Sequence, residues 1–199
     1  MGSQFSVYFR LGLDHISDLS AYDHILFLIA LCAIYQIREF RKVLVLVTAF
    51  TIGHSITLAL SALSIVTVNG DLIEFLIPVT ILLTAIANVW RPESQDNAKI
   101  LSRKMQFNYG MALFFGFIHG MGFSNYFKSL LGSSDQIVAP LFYFNLGVEV
   151  GQLIIVACIM AISFIFLRAL KVRIRDWVIF VSGMAAGLAF VMMLETNYL

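Results

Sequence analysis

Long apolar stretches constrain the fold of this 199-residue chain more than any other feature. A helix that crosses a bilayer needs about 20 mostly apolar residues. Hydrophobic residues make up 60% of the chain and charged residues only 13%, whereas about one quarter of a soluble domain is charged. The sequence therefore predicts an all-α, polytopic membrane helix bundle with six transmembrane helices, near residues 22–37, 43–66, 72–90, 107–127, 138–167 and 177–195.

The length favours a single transmembrane domain over residues 1–199. The first 20 residues include Arg10, Asp14 and Asp18, which do not fit the apolar core of a cleavable signal peptide. The net charge of +1 leaves no electrostatic footprint for nucleic acid. We therefore expect membrane lipids and no nucleic acid among the partners. The sequence leaves open whether the chain forms a homo-oligomer.

The basic residues predict the orientation of the helices. All 13 except Arg10 and Lys128 fall between helices one and two, three and four, or five and six. Because Lys and Arg concentrate in cytoplasmic loops, these three loops are predicted to be cytoplasmic. An even number of spans then places both termini outside the cytoplasm. Most acidic residues fall on the outer side, either as a vestibule that attracts cations or as a consequence of topology alone.

Five ionisable residues fall in the outer half of the predicted membrane. They are His15, His24, His54, His119 and Glu149. His54 lies about 16 Å above the cytoplasmic end of the second helix, and His119 about 18 Å above that of the fourth, at 1.5 Å per residue. Ionisable groups at such depth are expensive, so together they form a functional-site hypothesis.

The residue types favour a divalent metal ion. Imidazole is the commonest side-chain ligand of nickel, cobalt and zinc, and a neighbouring carboxylate orients it or supplies charge. Asp14 precedes His15 and Asp23 precedes His24, but adjacent helical residues point about 100° apart. Either member of a pair is thus a candidate ligand, with the other in support. Glu149 is an equally good candidate for a metal ligand and for a carboxylate that couples proton movement to transport.

Polar neighbours accompany these residues. Asn145, Glu149 and Gln152 share one helix face at i, i+4, i+7 spacing. Around the histidine of the second helix, Thr51 and Ser55 occupy the same face. The residues expected to support the ligands or to line a pathway are Asp14, Thr51, Ser55, Asn145 and Gln152.

Glycines surround His119. Gly116, Gly120 and Gly122 favour a break in the fourth helix that lines a cavity, and close helix packing is the alternative. Two further small-residue pairs predict close packing only, Gly147 with Gly151 and Gly183 with Gly187.

A polar ladder runs along the third helix. Thr80, Thr84 and Asn88 recur at i, i+4, i+8. Interhelical hydrogen bonds are the favoured interpretation, and a path toward the cytoplasm is the alternative.

These residues lie in stretches that resemble the HupE/UreJ family, in particular its second subgroup. The stretches are Gly12–His15, Asp23–Leu28, Phe50–Leu58, Phe117–Phe123 and Phe144–Gln152. The resemblance implies a nickel/cobalt permease-like protein, expected in the inner membrane of a bacterium. It carries the metal-binding role to His15, Asp23, His24, His54, His119 and Glu149.

The favoured function is therefore a divalent transition-metal permease, and no catalytic residue is assigned. The alternative is an intramembrane zinc hydrolase acting on a lipid, a lipoprotein or a peptide at the outer leaflet. That alternative is favoured by the lack of ionisable ligand candidates in the cytoplasmic half, where only the polar ladder continues inward. Ser55, Ser124, Asn125 or Asn145 would assist it. A membrane protein that delivers metal to another protein complex is a third possibility.

Overall fold

Most of the described residues fold into helices. The computed structural model describes residues 4–67, 69–90, 100, 102–131, 137–196 and 198. Seven α-helices follow in order: α1 Gln4–Ser17, α2 Asp23–Cys32, α3 Phe40–Ala62, α4 Gly70–Val89, α5 Arg103–Leu131, α6 Val138–Phe164 and α7 Ile174–Glu195. A 3-10 turn, Ile37–Glu39, leads into α3, and a π-helical segment, Ile165–Ala169, extends α6. The predicted all-α class is confirmed.

Four helical stretches in the described part of the chain are long and apolar enough to cross a membrane. They are Ile37–Ala62, Gly70–Val89, Val138–Ala169 and Ile174–Glu195. Large apolar side chains such as Ile52, Leu146 and Phe180 project outward from them, as expected for an integral membrane protein. The remaining two of the six predicted spans, and the orientation of the termini, stay predictions. Of the basic residues in the three loops, Arg91 and Lys99 lie outside the described residues.

The first predicted span, 22–37, is shorter in the structure. Helix α2 has 10 residues and rises about 15 Å, half of a hydrocarbon core about 30 Å thick. A new helix starts soon after it, because Gln36 and Glu39 cap each other's backbone N–H groups ahead of α3. Because apolar residues continue past the end of α2, the sequence of α2 and the following turn resembled one continuous span.

Helix α1 is an element that the apolar pattern did not predict. Gly12 and Ile16 face inward while Arg10 and Asp14 are exposed, so the helix is amphipathic. It packs tightly on α6, where a Cβ atom at Gly147 would stand only 2.1 Å from the carbonyl oxygen of Phe9. The packing role predicted for Gly147 is thus confirmed. Helix α1 carries His15 into the bundle.

Helices α3 and α5 cross at closely spaced glycines. A Cβ atom at Gly53 would lie 2.1 Å from the carbonyl oxygen of Leu113, and one at Gly116 equally close to that of Phe50. Helix α5 runs unbroken from Arg103 to Leu131, so the predicted break around His119 is wrong. The glycines instead allow close helix packing, the alternative interpretation, because a backbone carbonyl occupies the space that a methyl group would need.

The second small-residue pair behaves differently. A Cβ atom at Gly183 or Gly187 would meet no described atom within 4 Å. The close packing predicted for this pair is therefore absent from the described part of the chain.

Two apolar clusters bracket the centre of the bundle. One includes Phe27, Phe50 and Phe115, contributed by α2, α3 and α5. The other includes Phe144 of α6 and Ile16 of α1. The polar residues of the candidate site lie between them.

Candidate metal centre

Four imidazole rings from four helices meet in one cluster. His24 is central, with its ring centroid 4.7 Å from that of His15 and 5.2 Å from that of His119. The His54 ring lies 5.7 Å from the rings of both His15 and His24. His24, His54 and His119 are buried and His15 is half-buried. The fold thus brings together residues that are far apart in the sequence.

Each ring owes its position to a different helix. His15 is in the last turn of α1, and Asp23 and His24 form the first turn of α2. His54 and His119 lie within α3 and α5, where the glycine crossing holds their backbones together. A Cβ atom at Gly120 would stand 2.5 Å from the carbonyl oxygen of His54. The relative position of these two histidines therefore depends directly on a residue without a side chain.

The cluster contains two overlapping groups of candidate ligands. One comprises His15, His24 and His54, and the other Asp23, His24 and His119. In each group, one ligand atom per residue lies within 4.8 Å of the others. His24 belongs to both groups, so the two candidate positions for an ion are adjacent.

Asp23 orients the imidazole of His24. Oδ1 of Asp23 accepts hydrogen bonds from the backbone N–H and from Nδ1 of His24, at 2.8 and 3.0 Å. This arrangement places the proton of the neutral ring on Nδ1. Nε2 is then left with a lone pair, and it is buried without a hydrogen-bond partner among the described residues.

Thr80 orients His119 in the opposite sense. The Thr80 hydroxyl donates to the carbonyl oxygen of Ile77 at 2.7 Å, and its Oγ1 lies 3.0 Å from Nε2 of His119. Because a hydroxyl has one hydrogen, Oγ1 accepts from Nε2–H. The lone pair of His119 is therefore on Nδ1, which is buried and has no partner in the described structure.

His54 has no orienting partner of this kind. Its side chain is 0% exposed, and neither ring nitrogen is hydrogen-bonded within the described chain. Nε2 of His15 is likewise buried and unpaired among those residues. Buried polar atoms are normally hydrogen-bonded, because leaving one unsatisfied costs about 1–3 kcal/mol. Such nitrogens beside a carboxylate fit nickel, cobalt or zinc.

Aromatic rings enclose the cluster. The His54 ring stacks between Phe50 and Phe144, at centroid distances of 6.3 and 6.4 Å. Phe123 lies 3.9 Å from the His15 ring. These apolar walls exclude water, so the attraction between a cation and the single carboxylate of Asp23 is strong there.

Glu149 does not join either group of candidate ligands. Its Oε1 accepts a hydrogen bond of 2.7 Å from the hydroxyl of Thr48, on α3. Its Oε2 is buried and unpaired within the described chain. The structure therefore places this carboxylate on the α3–α6 contact, outside the two groups of candidate ligands.

Two of the other predicted supporting residues lie on the same contact. Thr51 donates a 2.7 Å hydrogen bond to Oε1 of Gln152. Ser55 and Asn145 bond to backbone carbonyls one turn earlier in their own helices. Asp14 is exposed and faces Arg10 at 3.7 Å. None of these five residues is in the two groups of candidate ligands found among the described residues.

Thr80 is the contact to the cluster that the sequence did not indicate. It is one of the three ladder residues, and the spacing shows only that they share a face. Asn88, another of them, donates to the carbonyl oxygen of Ala30 on α2 at 2.7 Å. Interhelical hydrogen bonding is therefore confirmed at Asn88 and extends to the site at Thr80.

Comparison with known proteins agrees with the motifs. The profile of the family described as HupE / UreJ protein matches residues 1–197. No curated protein and no solved structure matches the chain. The family match covers nearly the whole sequence, including every residue of the cluster. The chain therefore belongs to the HupE/UreJ family, which is associated with nickel and cobalt transport.

Proposed function

We propose that this protein is a permease for a divalent transition-metal ion of the nickel or cobalt type. The observation that carries the proposal is the pair of overlapping ligand groups that share His24. A transported ion must bind favourably and still leave, which adjacent sites make possible. An ion held by three imidazoles would exchange ligands with the second group without losing His24.

The surroundings of the two groups support a direction of passage. His15 is half-buried, and the exposed Asp14 and Asp18 lie next to it in the sequence. An ion attracted by these carboxylates would meet the group of three imidazoles first. The second group adds the charge of Asp23 and is adjacent to Thr80, from which the polar ladder leads away. We place Glu149 beside this route, as a proton-coupling carboxylate or a transient ligand.

The proposed topology is a single domain with six spans and both termini outside the cytoplasm. The basic loops and the four long apolar helices support it. In this topology, the cluster belongs to the outer half of the inner membrane. The cation therefore has to cross the inner half through the region between α2, α3, α4 and α5.

The alternative function is an intramembrane zinc hydrolase. One observation favours it: three imidazoles in one group leave a coordination position for water, as in catalytic zinc sites. Bound zinc would supply an acidified water, and Asp23 would keep His24 oriented. The family association with transport makes the permease the stronger proposal.

Metal uptake into proteoliposomes tests the proposal. We expect the purified protein to admit Ni²⁺ or Co²⁺, and His54→Leu and His119→Leu to abolish uptake. Ser129→Ala is the matched control, since Ser129 is exposed on α5 ten residues beyond His119. Metal binding without uptake, together with hydrolysis of a lipid or peptide, would establish the alternative. Binding with neither activity would point to a role in metal delivery.

A further inference from the structure

A cavity lies on the other side of the site from His15. Its volume is about 290 Å³, and helices α2, α3, α4 and α5 line it. Tyr35, Thr84, Asn88 and Asn108 contribute polar side chains to its wall. A cavity of this size holds several water molecules, each of which needs about 30 Å³. The rest of its wall is apolar, so these four side chains are the hydrogen-bond partners that such water would have among the lining residues.

The cavity lies toward the ends of the helices that carry the basic loops. Its lining residues on α3 and α5, Leu46 and Asn108, precede His54 and His119 by about two to three turns. Those on α4, Thr84 and Asn88, come after Thr80. Because α4 runs antiparallel to α3 and α5, positions before the histidines on α3 and α5 lie on the same side as positions after Thr80 on α4. The cavity therefore lies on the predicted cytoplasmic side of the cluster.

Three phenylalanine rings separate the cavity from the histidines. This aromatic layer consists of Phe27, Phe50 and Phe115. The Phe27 ring is 4.8 Å from Phe50 and 6.1 Å from Phe115, between centroids. Phe27 also faces both sides, because it lines the cavity and its ring lies 5.2 Å from that of His119. It is 0% exposed.

A polar edge runs past the layer on α4. Thr80 contacts His119, and one turn later Thr84 lines the cavity and donates to the carbonyl oxygen of Thr80 at 2.8 Å. Hydroxyl and carbonyl oxygens thus line the α4 edge of the aromatic layer. An ion that passes the layer has oxygen ligands along this edge.

We propose that the cavity is the inward vestibule of the cation pathway and that Phe27 is the barrier between it and the metal site. The inference rests on the proposed permease function. The ring closes the route, since an apolar layer offers a divalent cation no ligands. Phe27 follows His24 by three residues on the short helix α2. A displacement of this helix therefore moves a ligand and the barrier together.

Cobalt exchange tests the barrier directly, with Co²⁺ alone as the probe. The full-length protein, oriented in vesicles, exchanges Co²⁺ with the side of the basic loops only, where Co²⁺ is added for loading and excess EDTA for release, and bound cobalt is followed by its visible absorption. A barrier slows loading and release equally, whereas a ligand changes affinity. We expect Phe27→Ala to accelerate both rates about tenfold at unchanged dissociation constant. Phe27→Leu, which preserves more of the packing, should act in the same direction to a smaller extent.

Phe114→Ala is the matched control, because Phe114 is the neighbour of Phe115 on α5 but is 54% exposed. Its rates should equal those of the native protein. Unchanged rates in both Phe27 variants would overturn the proposal. Faster release that is fully explained by weaker affinity would also overturn it, since Phe27 would then support the ligands.

Labelling tests the vestibule without requiring transport. Ala87→Cys, on the cavity wall, is made in a chain whose two cysteines, Cys32 and Cys158, are replaced by alanine. A membrane-impermeant maleimide should label it in vesicles only from the side of the basic loops. Ala157→Cys, exposed on α6 away from the cavity, should stay unlabelled in lipid. No labelling of Ala87→Cys, or labelling only from the opposite side, would overturn the vestibule.

The two proposals fail separately. If the native protein takes up no metal while exchange and labelling behave as expected, the permease function fails and the route between site and vestibule stands. If the native protein transports metal but the Phe27 variants and Ala87→Cys show none of these effects, the permease function stands and the route lies elsewhere.

Discussion

The imidazole of His24 is held by the carboxylate of Asp23, its neighbour in the chain. Oδ1 of Asp23 lies 2.8 Å from the backbone nitrogen and 3.0 Å from Nδ1 of His24. Although adjacent helical side chains diverge, the carboxylate at the start of α2 turns back over its own helix end. It orients one nitrogen of His24, and Asp23 itself belongs to the ligand group that includes His119.

Asp23→Asn should weaken metal binding. The amide keeps the shape of the side chain but removes its charge, and partners of ligating imidazoles typically contribute 10- to 100-fold in affinity. We expect a loss of about that size in competition titrations with a metal-sensitive dye. Asp176→Asn is the control, since Asp176 also lies in the first turn of its helix, α7, but is exposed and outside both ligand groups. Equal affinities for the two variants would show that Asp23 plays no part in binding.

Thr80→Val should weaken binding through His119. The substitution keeps the branched shape but removes the oxygen that holds Nε2–H, so the ring can rotate or change tautomer. The affinity for Co²⁺ should fall by about tenfold, and thermal stability should fall by about 1 kcal/mol for the lost hydrogen bond. Calorimetric titration measures the first effect. Thr84→Val, one turn away, should leave affinity unchanged, and a similar loss there would remove the special role of Thr80.

His54→Leu should separate metal binding from folding. Both ring nitrogens of His54 are buried without a partner in the described structure, so a leucine of similar volume removes an unsatisfied polar group. The metal-free variant should unfold at the same temperature as the native protein or higher. The rise in unfolding temperature that Ni²⁺ gives the native protein should vanish. A large destabilisation of the metal-free variant would mean that His54 is structural.

Glu149→Gln should impair transport but not equilibrium binding. Glu149 lies outside both ligand groups, and glutamine can still accept the hydrogen bond from Thr48. We expect unchanged metal stoichiometry by elemental analysis, with uptake lost or no longer dependent on pH. Loss of one bound metal ion would make Glu149 a ligand. Unchanged uptake across pH would remove it from the mechanism.

Gly120→Ala should damage the site through the backbone. The added methyl group would lie 2.5 Å from the carbonyl oxygen of His54, so α3 and α5 must separate. Overpacking of this kind costs about 1–3 kcal/mol, and we expect metal binding to weaken as well. Gly110→Ala is the control on the same helix, because nothing lies within 4 Å of the new methyl group. It should raise stability slightly through helix propensity. Two equally stable variants would contradict the tight crossing.

Much of the helical organisation could be predicted from apolar periodicity. Four predicted spans correspond to α3, α4, α6 and α7, since runs of apolar residues have few alternatives to a helix in lipid. The structure departs from the prediction where sequence patterns are ambiguous. An apolar turn after Cys32 resembled a continued span, the amphipathic α1 lacked an apolar run, and glycines that suit a break also suit close crossing.

The sequence by itself determined which side chains are chemically unusual: four histidines and a few carboxylates in a chain that is otherwise fit for lipid. Their residue types and the family motifs identified the candidate ligands, because ionisable groups in lipid need a function. Only the tertiary structure decided how they are arranged. It put Glu149 beside Thr48, joined Thr80 to His119 and set Phe27 between the site and the cavity. Such contacts depend on how helices far apart in the chain rotate and cross, and spacing within one helix does not encode that.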